Sequence, residues 1–169
     1  MTEAFLRLHR ELHDDLCAWA EVQLQAPLRR RIDPEDLVQE VWSRAYQAFR
    51  AYDETRGPFR AWLFGIAYHV LHQQLRTWRR RWRREGEAGS LDAVDGRTSI
   101  VSRLVRTERA TRLVHLVESL SGDDRALVIH RGIEGLPHAE VAARLGVTAA
   151  TAETRWRRLR GRLTEQLPE

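Results

Sequence analysis

The sequence predicts an all-α fold of two small helical domains joined by a flexible linker. Three observations predict it. Apolar residues recur at spacings of three and four along nearly every stretch, and strand signals are almost absent. Between Glu85 and Thr98 that periodicity gives way to Gly86, Gly89, Ser90, Asp92, Asp95 and Gly96, a mixture that buries little and tolerates many backbone shapes. A chain of 169 residues holds one ordinary domain or two small ones. The expected division is therefore 1–84, a linker over 85–102, and 103–169.

The first helix is expected from about Glu3 to Gln25, ended by Pro27, with Arg29, Arg30 and Arg31 forming a short basic connection. Asp33 followed by Pro34 is a helix start: the carboxylate caps free N–H groups and the proline ring presets the first helical φ. From Pro34 to about Ala51, Leu37, Val38, Val41, Trp42, Ala45, Tyr46 and Phe49 form one broad stripe for burial. Residues Tyr52 to Pro58 break the period, because glycine before proline favours a loop. A third helix carries Phe59, Trp62, Leu63, Ile66, Ala67, Val70, Leu71 and Leu75 and runs on into Trp78 and Trp82 among arginines. The apolar pattern resumes near Ile100 with Val101, Leu104, Val105, Leu113, Val114, Leu116, Val117 and Leu120, then breaks into shorter segments.

Net charge is only +4, yet the pI is about 10.1, because all 28 basic residues are arginine. A planar guanidinium donates in pairs to phosphate and stacks on bases, so the placement of these arginines decides whether they serve DNA or reflect composition alone. The single cysteine, Cys17, excludes an internal disulfide and a cysteine-based zinc site and fits a reducing, cytoplasmic setting. Residues Met1 to Arg10 carry charges throughout and no 18 apolar residues run together, so neither an export leader nor membrane insertion is expected.

The most specific local signal spans Pro137 to Arg162. Ala142, Gly146 and Ala152 fall where a helix-turn-helix needs a small residue for close approach, a glycine in the turn and a small core residue in the second helix. Leu145 and Val147 flank the turn, and Thr148 caps a helix from Ala149 to about Gln166 whose outer face offers Thr151, Thr154, Arg155, Arg158 and Arg162. That face suits a major groove; the plain alternative is a helical hairpin with a solvated arginine face. Glu153 on the same helix repels phosphate but can accept from a cytosine amino group.

A second constellation closes the third helix: Arg76, Trp78, Arg79, Arg80, Arg81, Trp82, Arg83 and Arg84. Unpaired bases stack on aromatic rings while guanidinium groups hold the backbone, whereas the bland reading is a basic helix end favoured by the dipole. The third is the acidic run Asp33 to Glu40, which stabilises a helix start and also makes a docking face for a basic protein partner. Clustered acids also raise the possibility of a Mg²⁺ nuclease. No distant third carboxylate, histidine pair of ligand spacing or glycine-rich phosphate loop supports it, so no catalytic residue, metal or cofactor is expected.

Asp33-Pro34-Glu35-Asp36-Leu37-Val38-Gln39-Glu40, then Phe59-Arg60-Ala61-Trp62-Leu63-Phe64-Gly65-Ile66-Ala67, then the terminal helix-turn-helix resemble the extracytoplasmic-function sigma factors of the sigma-70 family. The resemblance covers roughly Glu11 to Arg84 and Leu120 to Leu163. It implies a region two domain whose acidic helix docks on the clamp helices of the polymerase largest subunit through Asp36, Gln39 and Glu40. It further implies minus-10 recognition by the Tyr52 to Phe59 loop with Arg56, by Trp62 and His69, and by the helix beyond them with Gln73, Arg76, Trp78, Arg79 and Arg80. A region four domain would read the minus-35 element through Thr148, Thr151, Thr154, Arg155, Arg158 and Arg162. The implied partners are core RNA polymerase, promoter DNA and an anti-sigma protein. The family commonly has asparagine at the place of His69 and a basic residue at the place of Glu153, so base preferences do not carry over; Tyr68 and Gln73 also depart from the usual pattern. The competing reading is a stand-alone helix-turn-helix repressor or activator, which would bind its operator unaided, usually as a symmetric dimer.

Overall fold

The computed structural model describes residues 2–24, 26–85, 107–120 and 122–166, of which the side chains of 2, 26, 27, 81–85, 165 and 166 are not described. Every regular element among the described residues is helical. They form two compact units, Met1–Leu113 and Val114–Glu169. The expected linker lies outside the described residues apart from Glu85, which still belongs to the long helix before it. The same holds for Ile100, Val101, Leu104 and Val105 at the expected start of the second domain.

In the first unit, α1 (Thr2–Gln23), α3 (Pro34–Ala48) and α4 (Phe59–Glu85) pack as a three-helix bundle. Its core is built from Leu16, Trp19 and Leu24, from Leu37, Val41 and Ala45, and from Leu63, Phe64 and Val70, all essentially without solvent contact. Trp19 joins α1 to α4 by edge-on contacts with Phe64 and Tyr68, at centroid separations of 5.8 and 5.2 Å. Asp15, itself buried, pairs with Arg60 at 2.7 Å across the same seam.

The start of α3 forms as its sequence requires. Asp33 stays extended, its carboxylate accepts from the Glu35 N–H at 2.8 Å, and Pro34 opens the helix. The first helix ends at Gln23, before Pro27 as expected, and Pro27 lies in the first turn of a four-residue helix, α2 (Ala26–Arg29), where a missing N–H costs nothing. One expectation is corrected. Tyr46 is not part of the buried stripe: it remains 49% exposed and only its ring edge meets Phe5.

The second unit takes up the C-terminal half of α5 (Glu108–Ser119). There follow α6 (Gly122–Leu127), a π-helical turn (Val128–Ile133), α7 (His138–Leu145) and α8 (Ala149–Gln166). Between α7 and α8, Gly146 adopts the left-handed conformation (φ 66°, ψ 32°), which a side chain would strain, and Val147 donates back to the Ala142 carbonyl at 3.1 Å. Ala142 and Ala152, at 3% and 0% exposure, let the two helices approach closely. The expected helix-turn-helix is thus present residue for residue.

Candidate polymerase and nucleic-acid interfaces

The acidic start of α3 opens onto a groove of about 480 Å³ lined by Arg31, Ile32, Asp33, Asp36, Glu40 and Arg44, and across from them by Val70, Gln73, Gln74, Thr77 and Trp78 of α4. Arg44 spans it, donating from Nε to Glu40 Oε1 at 2.6 Å and from Nη1 to Gln73 Oε1 at 2.7 Å. Glu40 four residues before Arg44 is the favourable order on a helix. Asp36 and Gln39 are exposed; Asp36 lines the groove and Gln39 is not among its lining residues. Gln73 and Trp78, grouped from sequence with the minus-10 residues, therefore stand on the same groove as Asp36 and Glu40.

The loop before α4 is built on aromatic rings. Tyr52 lies 5.3 Å from Trp62 and 5.3 Å from Phe59, and Phe59 lies 5.2 Å from Trp62. Phe5 and Phe49 support this group from α1 and from the 3-10 turn Phe49–Ala51. Phe59, expected both in the apolar stripe of the third helix and among the minus-10 residues, is buried at 6% exposure and packs against Tyr52 and Trp62. The Tyr52 hydroxyl donates to the Gly57 carbonyl at 3.0 Å, and burial, then Glu54 and Asp53, hold its pKa above the usual phenol value, so it stays a donor. Asp53 caps the second 3-10 turn, Glu54–Arg56, through the backbone N–H and hydroxyl of Thr55, and those bonds depress its carboxyl pKa. Arg56 is exposed at the loop edge.

Along α4 the half-buried Trp62 and the exposed His69, Arg76 and Arg80 follow at intervals that keep them near one face, with Arg79 adjacent and also exposed. Trp62 and His69 are two turns apart, about 10 Å. The side chains of Arg81, Trp82, Arg83 and Arg84 lie outside the described residues.

In the second unit, Thr148 caps α8 by accepting from the Thr151 N–H at 3.2 Å, and the two hydroxyls share a 2.9 Å bond. At 100° per residue, Thr151, Arg155, Arg158 and Arg162 fall in one stripe with Thr154 at its edge, flanking the side that buries Ala152 and Leu159. Sequence reasoning missed what holds this stripe. Arg155 pairs with Asp123, and Arg162 pairs with Asp124 at 2.7 Å, both carboxylates in the first turn of α6. Also missed was Glu134, fully buried, whose carboxylate lies 2.9 Å from His130 Nδ1 and 3.3 Å from Arg144 Nη1, tying the π-turn to α7. Partners 32 and 38 residues apart leave no local spacing to read.

Among the described residues no group of three or more His, Cys, Asp and Glu is placed to hold a metal ion, and no helix is long and apolar enough to cross a membrane. A helical bundle with an acidic groove and an aromatic loop, together with a separate helix-turn-helix unit, defines an all-helical protein of two modules. The family profile described as Sigma-70 region 2 matches residues 8–84, and that described as Sigma-70, region 4 matches residues 110–163. The chain belongs to the sigma-70 family, in its extracytoplasmic-function group.

It is 31% identical over 136 residues to the ECF RNA polymerase sigma factor SigE of Mycolicibacterium smegmatis, covering 80% of this chain and 52% of that protein. It is 28% identical over 145 residues to the RNA polymerase sigma factor CnrH of Cupriavidus metallidurans, covering 80% and 73% of the two chains. The chain therefore spans about half the length of the first of these curated relatives. Among solved structures it matches the sigma factor RpoE in complex with the anti-sigma factor NepR from Bartonella quintana, with a TM-score of 0.51, 23% identity and 99% of each chain covered. At that identity the likeness speaks for the fold alone.

Proposed function

We propose that this chain binds core RNA polymerase and directs promoter-specific initiation, with residues 1–84 reading the minus-10 element and residues 103–169 the minus-35 element. The observation that carries the proposal is the division of labour between the units. One unit pairs an acidic groove with an aromatic loop, and the other presents an arginine stripe on the second helix of a helix-turn-helix.

Asp36, Gln39 and Glu40 supply the carboxylates and amide that a basic partner helix recognises, and the same negative charge keeps DNA off that face. Tyr52 and Trp62 offer ring faces for an unstacked base, with His69 and the exposed arginines of α4 following the backbone. Neither half needs to bind DNA tightly, because polymerase, by fixing their separation, turns two weak contacts into one strong one. The proposed chemistry is binding throughout, in the cytoplasm, without catalytic residue, metal or cofactor. An anti-sigma protein is the proposed regulator, by analogy with the complex of RpoE and NepR.

Reconstituted transcription tests this. Purified chain mixed with bacterial core polymerase and a library of promoter fragments is expected to yield specific transcripts. Failure to associate with core polymerase at low salt, or tight operator binding by the chain alone as a dimer, would overturn the proposal.

A further inference from the structure

The reading stripe of α8 carries three arginines, and they are not equivalent. Arg155 and Arg162, seven residues apart, are each paired with a carboxylate at the start of α6, Asp123 and Asp124 respectively. Arg158, between them on the same stripe, is exposed and has no such partner among the described residues. All four paired side chains keep substantial solvent exposure, from 39% for Asp124 to 63% for Arg162, so phosphate or base can reach the arginines once the carboxylates let go.

We infer that Asp123 and Asp124 are specificity-determining residues, carboxylate counter-ligands that suppress non-specific DNA binding by the recognition helix. The inference rests on the proposed role of α8 as the DNA-reading helix. A phosphate that takes Arg155 or Arg162 must displace a carboxylate already in place. Each displacement leaves a bare anion beside a polyanion, which repels it and rebinds a cation. That uptake cancels part of the counterion release that drives phosphate binding. A base edge that takes the same arginine displaces the same carboxylate, but its directed, bidentate hydrogen bonds offset that cost where a generic phosphate contact does not. Exposed pairs of this kind are each worth up to about fivefold in an equilibrium, enough to tune affinity without blocking it.

The test uses the full chain and a labelled duplex of random sequence, with anisotropy titrations from low to moderate salt. Three forms are compared: wild type, D123N/D124N, in which asparagine keeps the acceptor oxygen and removes the charge, and R155A/R162A. Circular dichroism checks that each is folded, and single D123N and D124N variants stand in if the double variant is not. The expected result is several-fold tighter binding by D123N/D124N at low salt. Its slope of log affinity against log salt should be steeper by up to about 1.8, roughly 0.9 for each freed arginine. Unchanged affinity and slope in D123N/D124N, with R155A/R162A weakened, overturn the inference and leave the role of α8 standing. No effect in either variant, at a salt concentration low enough for the wild type to bind, overturns both.

Discussion

The Tyr52 hydroxyl donates to the carbonyl oxygen of Gly57 at 3.0 Å, closing the loop that leads into α4. The bond spans five residues and fixes the ring whose face lies 5.3 Å from Trp62. Replacing Tyr52 by phenylalanine keeps the ring and removes the clasp. A bond of this type contributes about 1 kcal/mol, so Tyr52→Phe is expected to loosen the loop while shifting the unfolding of the bundle only slightly. Open-complex formation, followed by permanganate reactivity of unpaired thymines, should fall several-fold. Wild-type opening by Tyr52→Phe would deny the loop its part in strand separation.

The groove beneath Arg44 makes a sharper demand. Asp36 lines it and Glu40 is held there by the Arg44 guanidinium, whereas Glu35 in the same first turn of α3 is exposed and outside it. The double change Asp36→Ala with Glu40→Ala is expected to weaken core polymerase binding by about tenfold or more, equivalent to at least about 1.4 kcal/mol. Glu35→Ala should leave binding near wild type and cost only about 0.3–1 kcal/mol of helix stability through the lost dipole interaction. Biolayer interferometry against immobilised core enzyme reads both. Equal loss in the two variants would mean that bulk negative charge, and not the groove, attracts the polymerase.

Local chemistry was legible in the sequence wherever one residue acts on its near neighbours. Asp33 and Pro34 announced α3, Gly146 and Thr148 announced the turn and the cap before α8, and the arginines of the expected stripe on α8 are exposed while Thr151 and Thr154 are half-buried. Pairings between distant segments were not legible. Nothing in the spacing of Asp123 and Asp124 points to Arg155 and Arg162, and nothing marks Glu134 as fully buried until His130 and Arg144 are brought to it. Phe59 reads from sequence both as part of the apolar stripe of the third helix and as a residue of the loop site, and its 6% exposure places it in the core.

His9 gives the first unit a pH dependence of known sign. Its ring stacks on His13 at 4.9 Å and tilts against Trp42 at 4.4 Å, and burial, then the charge of His13, lower its pKa from the ordinary 6.5. The unfolded chain therefore takes up this proton before the folded one as pH falls. The contribution of His9 is complete above the ordinary imidazole value and is lost progressively below it. Urea unfolding followed by tryptophan fluorescence should show the midpoint dropping more between pH 7.5 and 5 for wild type than for His9→Gln. Parallel curves for the two proteins would remove His9 as the source.

Glu134 is the most exposed to failure of the buried groups in the second unit. It has no solvent contact, and its carboxylate faces His130 and Arg144, which are 19% and 41% exposed at their side chains. Glu134→Leu leaves both without that acceptor, but their partial exposure lets water compensate in part. A loss of about 2–3 kcal/mol is expected, below the full cost of breaking a wholly buried pair. Thermal melting of this unit should register it, while polymerase docking through α3 stays near wild type. A stability unchanged from wild type would show that the carboxylate is dispensable for holding the π-turn on α7.

Gly132 sets how closely α8 lies on the π-turn. A Cβ built at this position would come 3.1 Å from Trp156 Cη2, closer than ordinary van der Waals contact, and Trp156 belongs to α8 one residue after Arg155. The indole is broad and rigid, and its neighbour Leu159 is buried, so the ring has little freedom to retreat without carrying α8 with it. Gly132→Ala is expected to cost about 1–3 kcal/mol as overpacking, and Gly132→Val more. The displacement would also shift Arg155 relative to Asp123 and to DNA. The minus-35 contribution to promoter binding should therefore fall in Gly132→Ala even at temperatures where the protein remains folded. Pairing the change with Trp156→Leu, which vacates the space, should recover part of that loss. A double variant no better than Gly132→Ala alone would mean that the glycine serves the π-turn itself and not the seating of α8.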